Sequence, residues 1–159
     1  VFLRPFRQLG ARKQRGEAMD LDAVPAEEFG RSLKGMGVNL LTGDVRELAA
    51  FLVEIFGLTV FRLSDDFAII RHDGTILQLH ADPTYGSHPL MSLVPENPPR
   101  GAGAQFYLFG IDPDAAVARA NAAGHLVIEH VANKPHGLRE ATILSPEGYA
   151  FTPAIAHDD

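Results

Sequence analysis

Apolar and polar positions along the chain alternate with two different periods, and the switches between them mark out the elements. Val45, Leu48, Ala49, Leu52, Ile55 and Phe56 recur at the spacing of a single buried helix stripe. Asp44 precedes the stripe as an N-cap, Glu47 stands three residues on at capping-box spacing, and Gly57 is placed to end the helix in a left-handed conformation. Strand-like runs surround it: Val38 to Thr42 before, then Leu58 to Leu63, Phe67 to His72 and Thr75 to Leu79 after. That order is βαβββ, and it recurs. Gln105 to Ile111 reads as a strand, and Asp112 and Pro113 open a helix with a small-residue face of Ala115, Ala116, Val117 and Ala120, closed by Gly124. Leu126 to Val131 is another strand, and residues 136–153 form two more around the turn Ser145-Pro146-Glu147-Gly148.

Laying Asp73-Gly74 on Glu147-Gly148 puts Ile69 on Ile143, Ile70 on Leu144 and Gln78 on Thr152; Thr42 then matches Ile111 and Gly57 matches Gly124. The pattern predicts an α+β domain over 36–155, built from modules at 36–80 and 104–155. The linker, 81–103, is rich in Pro, Gly and polar residues; it is a candidate lid or dimer contact, or a plain surface crossover. Residues 1–35 form a basic extension followed by a short helix from Pro25 to Lys34.

Composition narrows the function classes. Arg4, Arg7, Arg12, Lys13 and Arg15 against Glu17 give residues 1–18 a net charge of +4, which leaves −10 on the remainder of a chain whose total is −6. An acidic body argues against nucleic acid as a partner, and the basic stretch reads as a peripheral arm. With no Cys, disulfides, thiolate metal sites and a Cys nucleophile are excluded, which fits a cytoplasmic protein. No apolar run is long enough for a membrane span. Gly-x-Ser-x-Gly, a Gly-rich phosphate loop opening a helix, and Asp-rich calcium loops are all missing. The seven His are scattered, with no pair at three- or four-residue spacing.

The doubled βαβββ order, "GDVRELAAFLVEIFGL" after the first strand and "KPHGLREATILSPEGYAF" near the end together resemble the vicinal oxygen chelate superfamily, which includes glyoxalases, bleomycin-resistance proteins and extradiol dioxygenases. The second stretch resembles the family's Trp-Gly-(Leu/Met)-Arg-Glu…Asp-Pro-(Asp/Glu)-Gly pattern, with His136 in the place of Trp. The resemblance implies a curled mixed-sheet cup that binds a small molecule, and a homodimer. Metal-dependent members carry four ligands on the cup floor, and the matching positions here are Gly37, Gln78, Phe106 and Thr152. A shift of one residue substitutes Val38, Tyr107 or Gln105. A divalent ion needs nitrogen or anionic oxygen donors, so the resemblance implies no metal site on this floor and no cofactor.

Strand alternation turns Gln78 and His80 away from the helix and toward the cup, where Asn39, Leu41, Phe106, Leu108, Ala150, Thr152 and Ala154 are expected to join them. The expected ligand-binding set is Asn39, Gln78, His80, Phe106, Leu108 and Thr152: Phe106 to stack on a planar ligand, the amides and hydroxyl to orient it. His80 has an ordinary pKa near neutrality and is the candidate for proton transfer. Its plainer reading is an exposed histidine at a strand end; Arg139 and Glu140 read as a surface pair, with Arg139 at the cup rim as the alternative, and His136 reads as a solvated loop residue. Three functions remain open: metal-free binding of a small, partly aromatic molecule; a lyase, isomerase or dioxygenase using His80 or an unforeseen divalent ion; and an interaction module whose cup is filled by its own side chains.

Overall fold

The computed structural model describes residues 18–158. The stretch 1–18 read as a peripheral arm therefore lies outside the described residues but for Ala18. A short helix α1 (Ala26–Ser32) leads into the first module: β1 (Val38–Thr42), α2 (Val45–Phe56), β2 (Thr59–Phe61), β3 (Phe67–His72) and β4 (Thr75–Ala81). The connection holds a one-turn helix α3 (Asp82–Tyr85) and a 3-10 turn over Pro89–Leu93. The second module is β5 (Gln105–Phe109), α4 (Pro113–Ala123), β6 (Val127–Asn133), β7 (Leu138–Leu144) and β8 (Ala150–Ala156).

Local chemistry sets the helix limits as the sequence predicts. The Asp44 carboxylate accepts from the Glu47 N–H at 2.9 Å, and Gly57 ends α2 at φ 68°. Asp112 caps α4 by accepting from the Asp114 N–H at 3.0 Å, and Gly124 ends it at φ 77°. The strand after α2 is shorter than predicted, because the chain turns off the sheet at Arg62. Arg62 has φ 51°, and there its N–H donates to Asp22 Oδ1 at 2.7 Å while its Nε–H donates to the Leu21 carbonyl at 2.7 Å.

Each module makes one four-stranded sheet, β1-β4-β3-β2 and β5-β8-β7-β6, with a parallel pair at one edge and antiparallel pairs elsewhere. Asn39 pairs with Gln78 across β1 and β4, and Tyr107 pairs with Thr152 across β5 and β8. The helix-facing sides of both sheets share one core. Phe51, Leu52, Ile55 and Phe56 of α2 meet Leu77 and Leu79 of the first sheet and Ile143 and Phe151 of the second, while Ala116 and Ala120 of α4 are fully buried beside them. A second, smaller cluster covers the other face of the first sheet: Leu21, Val24 and Phe29 lie on Ile69, flanked by Phe61, Phe67 and Ile76.

The two halves match with a shift that the sequence alignment misses. Ile70 pairs with Leu77 and Ile143 with Phe151, so Ile143 is the counterpart of Ile70, not of Ile69, and Thr142 takes the place of Ile69. The cause is the turn. Asp73 and Gly74 alone separate the paired His72 and Thr75, whereas residues 145–149 separate the paired Leu144 and Ala150. On the returning strand Gln78 does match Thr152.

The linker is held down. Arg100 donates to both Asp82 carboxylate oxygens at 2.7 Å and lies 3.4 Å from Glu147 Oε1, an oxygen that also accepts from the Gly43 N–H at 2.9 Å. The hydrogen bonds it donates to Asp82 hold the guanidinium pKa above its ordinary value. The Tyr149 hydroxyl donates to the Leu41 carbonyl at 2.7 Å, joining the turn of the second module to the first strand.

Candidate functional site

The faces turned away from the shared core carry the polar chemistry. On the first sheet the Asn39 amide donates to the Tyr85 hydroxyl oxygen at 2.8 Å, and Gln78 donates to Asn39 Oδ1 at 3.2 Å. His80 lies one pleat further along β4, its ring meeting the edges of Phe67 (5.0 Å between centroids) and Tyr85 (5.2 Å). Burial lowers the imidazole pKa, so His80 is neutral at neutral pH. The sequence thus brings Asn39, Gln78 and His80 to one face, and the structure adds Tyr85 from the linker helix.

The lowered His80 pKa makes stability depend on pH. A folded-state pKa below the unfolded value means the unfolded chain binds more protons between the two, so stability rises with pH there. Stability should therefore fall as pH drops from about 6.5 through the lowered folded-state value. Urea denaturation from pH 8 to 5 should register a smaller loss in His80→Gln than in the parent; equal losses would mean the ring titrates without constraint.

On the second sheet two expected residues are elsewhere. Phe106 packs into the shared core, its ring 5.4 Å from that of Phe151, and Leu108 is buried in the same cluster. The residues that share the open face with Thr152 are Gln105 and Tyr107, because a slip of one position exchanges the faces of a strand. Gln105-Phe106-Tyr107-Leu108-Phe109 has apolar or aromatic side chains on both faces, so its own pattern sets no phase. Pairing with β8 sets it instead.

This face holds a connected polar network. Gln105 donates to Thr152 Oγ1 at 2.8 Å, the Thr152 and Thr142 hydroxyls are 2.9 Å apart, and Thr142 donates to Glu129 Oε2 at 3.3 Å. Glu129 also holds Lys134; that hydrogen bond lowers the carboxyl pKa and raises the ammonium pKa. Glu140, almost wholly buried, accepts from the Tyr107 hydroxyl at 3.2 Å and contacts His136 Nε2 at 3.1 Å. Burial first, and the Glu140 charge second, push the Tyr107 phenol above its ordinary pKa. The Tyr107 and Phe109 rings stack at 5.3 Å, with Phe109 largely exposed.

The expected surface pairing of Arg139 with Glu140 does not form. Consecutive strand residues point to opposite faces, and Arg139 instead grips Asp114 of α4 at 2.6 and 2.7 Å and Asn133 at 2.9 Å. That places it away from the open face of Glu140. His136 is likewise not simply solvated, given its contact with Glu140. Tyr85 escaped the sequence reading, Tyr107 entered it only through a one-residue shift of register, and Glu140 only as a surface partner of Arg139; the signal for Glu140 was its alternation with Thr142, two residues on along β7.

Across from Gln78 and Thr152 stand Asn39 and Tyr107, not the Gly37 and Phe106 that the sequence alignment sets with them. Their amides, phenol and hydroxyl do not suit a divalent ion, and Thr152 is already committed to Gln105 and Thr142. Among the described residues no three His, Cys, Asp or Glu side chains are grouped to hold a metal.

Two hollows lie on these faces. One, of about 920 Å³, sits between the N-terminal segment and the first sheet, walled by side chains including Leu21, Phe29, Val38, Arg71, Ile76 and Gln78. The other, of about 520 Å³, lies under linker residues 99–104 against Gln105, Glu129 and Thr142. The sequence reading expected a single chamber between the halves; each of these hollows is instead lined by one module and the segment beside it. No helix among the described residues is long and apolar enough to cross a membrane.

No protein-family profile matches the chain, and no curated protein does. Solved structures match its fold. A glyoxalase/bleomycin resistance protein/dioxygenase family enzyme from Burkholderia phytofirmans is 20% identical with a TM-score of 0.64, over 76% of this chain and 97% of that one. A glyoxalase/bleomycin resistance protein/dioxygenase from Nocardioides gives 19% and 0.59, over 83% and 91%. The lactoylglutathione lyase of Agrobacterium tumefaciens gives 20% and 0.56, over 77% and 92%. With its two βαβββ modules in this order, the chain has the glyoxalase/bleomycin-resistance/dioxygenase fold.

Proposed function

We propose that this protein binds a small, partly aromatic molecule on the open face of its first sheet, without a metal ion. The observation that carries the reading is the larger hollow: largely apolar walls with Gln78, itself hydrogen-bonded to Asn39, in its lining. A mainly apolar concavity with a few fixed polar groups is the usual character of a small-molecule site, and the Gln78 amide, which carries both donors and an acceptor, can orient a ligand there. A second copy of the chain covers the free edges at β1 and β5, each paired on one side only within the chain.

Anything that binds only the native state raises its melting temperature. A panel of neutral and charged aromatic compounds should therefore include some that shift the transition, by about 2.7 kcal/mol of stabilisation at a hundredfold excess over Kd. The shift should shrink in Gln78→Ala, and elemental analysis should find substoichiometric metal. A panel with no effect removes the binding reading and leaves the interaction module. Stoichiometric zinc, iron or manganese removes the metal-free part.

A proton-transfer enzyme is the second reading, and the observation that favours it lies on the other sheet. His80 has ring edges for neighbours, whereas His136 has a buried carboxylate to orient it and an adjacent Tyr107 phenol.

A further inference from the structure

We infer that the larger hollow is a site for a small amphipathic anion, a carboxylate on an aromatic or aliphatic body, with Arg71 as the group that meets its charge. The inference rests on the binding reading above and names its ligand class.

Charge distribution is the first support. The chain has 20 acidic side chains and a net charge of −6, yet among the described residues no Asp or Glu lines this hollow, while Arg71 and Lys34 do. An entering carboxylate meets two cations and no repelling wall.

Arg71 is the second. Arg31, Arg46, Arg100 and Arg139 each hold a carboxylate, whereas Arg71 has no carboxylate partner among the described residues. Its guanidinium lies over the Phe61 ring at 4.8 Å. That contact fixes the plane of the group while leaving its N–H edge for a planar, bidentate acceptor such as a carboxylate. The third support is the remaining wall: Leu21, Phe29, Leu33, Val38 and Ile76 offer an apolar bed, and the volume of about 920 Å³ is that of a small-molecule site.

The test compares 1-naphthoate with its neutral isostere 1-naphthamide by calorimetric titration of the full chain. Naphthoate should bind more tightly, and its affinity alone should fall as salt is raised. Arg71→Gln should weaken naphthoate about 10-fold or more, the scale of a lost charged hydrogen bond, and leave naphthamide unchanged. Arg71→Lys should keep part of the preference. Arg46→Gln, the same charge change on a surface residue paired with Asp65, should alter neither. Equal binding of the two probes, naphthoate affinity indifferent to salt, or an unaffected Arg71→Gln overturns the anion inference and leaves the binding reading standing. Failure of both probes, together with a silent compound panel, takes down the two together. The salt titration uses the parent protein, so the inference stays testable even where Arg71→Gln does not fold.

Discussion

Phe151→Ala should destabilise the protein by about 3–5 kcal/mol, the range for emptying a fully buried phenylalanine site. For a chain of this size that is a fall of about 6–20 °C in melting temperature. Phe151 has no exposed surface, and its ring lies within 6.1 Å of Phe51, 5.8 Å of Phe56 and 5.4 Å of Phe106. Those rings come from α2 and from β5, so no single neighbour can move in to fill the void without disturbing the packing of both modules. A loss below about 1 kcal/mol would mean that the site collapses freely and that the shared core is not the seam described above. Phe151→Leu, which keeps most of the volume, should recover the larger part of the loss.

Gly148→Ala should cost about 2–5 kcal/mol, combining the strain of a left-handed residue with overpacking. Gly148 has φ 88°, and a Cβ there would stand 2.5 Å from Pro99 Cα and 2.6 Å from Pro99 Cβ. The collision is with linker backbone, so relief requires lifting the segment that Arg100 holds. The bonds from the Arg100 N–H to the Glu147 carbonyl (2.8 Å) and from the Gly101 N–H to the Gly148 carbonyl (3.3 Å) would open together. Gly74 provides the control. It has a similar φ of 81° in the matching turn, but nothing lies within 4 Å of its missing Cβ, so Gly74→Ala should cost only about 1–2 kcal/mol of conformational strain. Denaturant titration of both variants separates strain from linker contact. Equal losses would mean that the linker does not press on the turn, and faster proteolysis near residue 99 in Gly148→Ala alone would locate the damage.

The contrast between these glycines bears on how much the sequence disclosed. Helix limits were legible because their causes are local: Asp44 and Asp112 as caps, Gly57 and Gly124 as stops. On β4, Leu77 and Leu79 against Gln78 and His80 give an unambiguous alternation, and the polar face of the first sheet follows from it. Strand β5 gave no such contrast. Its facing depends on hydrogen bonds to β8, far along the chain, and reading it one residue out put Phe106 and Leu108 where Gln105 and Tyr107 stand. The turn at 145–149 produced the second slip, moving Ile143 from Ile69 to Ile70. Arg71 and Glu140 were hidden for a different reason. Their character comes from what surrounds them, an acid-free hollow in one case and a phenol and imidazole in the other, and neither neighbourhood is adjacent in sequence.

The halves repeat each other in backbone but not in bulk. Helix α2 brings Phe51, Leu52, Ile55 and Phe56 to the seam, while α4 brings Ala116 and Ala120. Bulky meets slender, as lock wards meet the notches of one key. A tandem of two first modules would crowd two further aromatic rings into the space now held by alanine, and a tandem of two second modules would leave a void there. The duplication is therefore no longer reversible: neither module can stand in for its sibling.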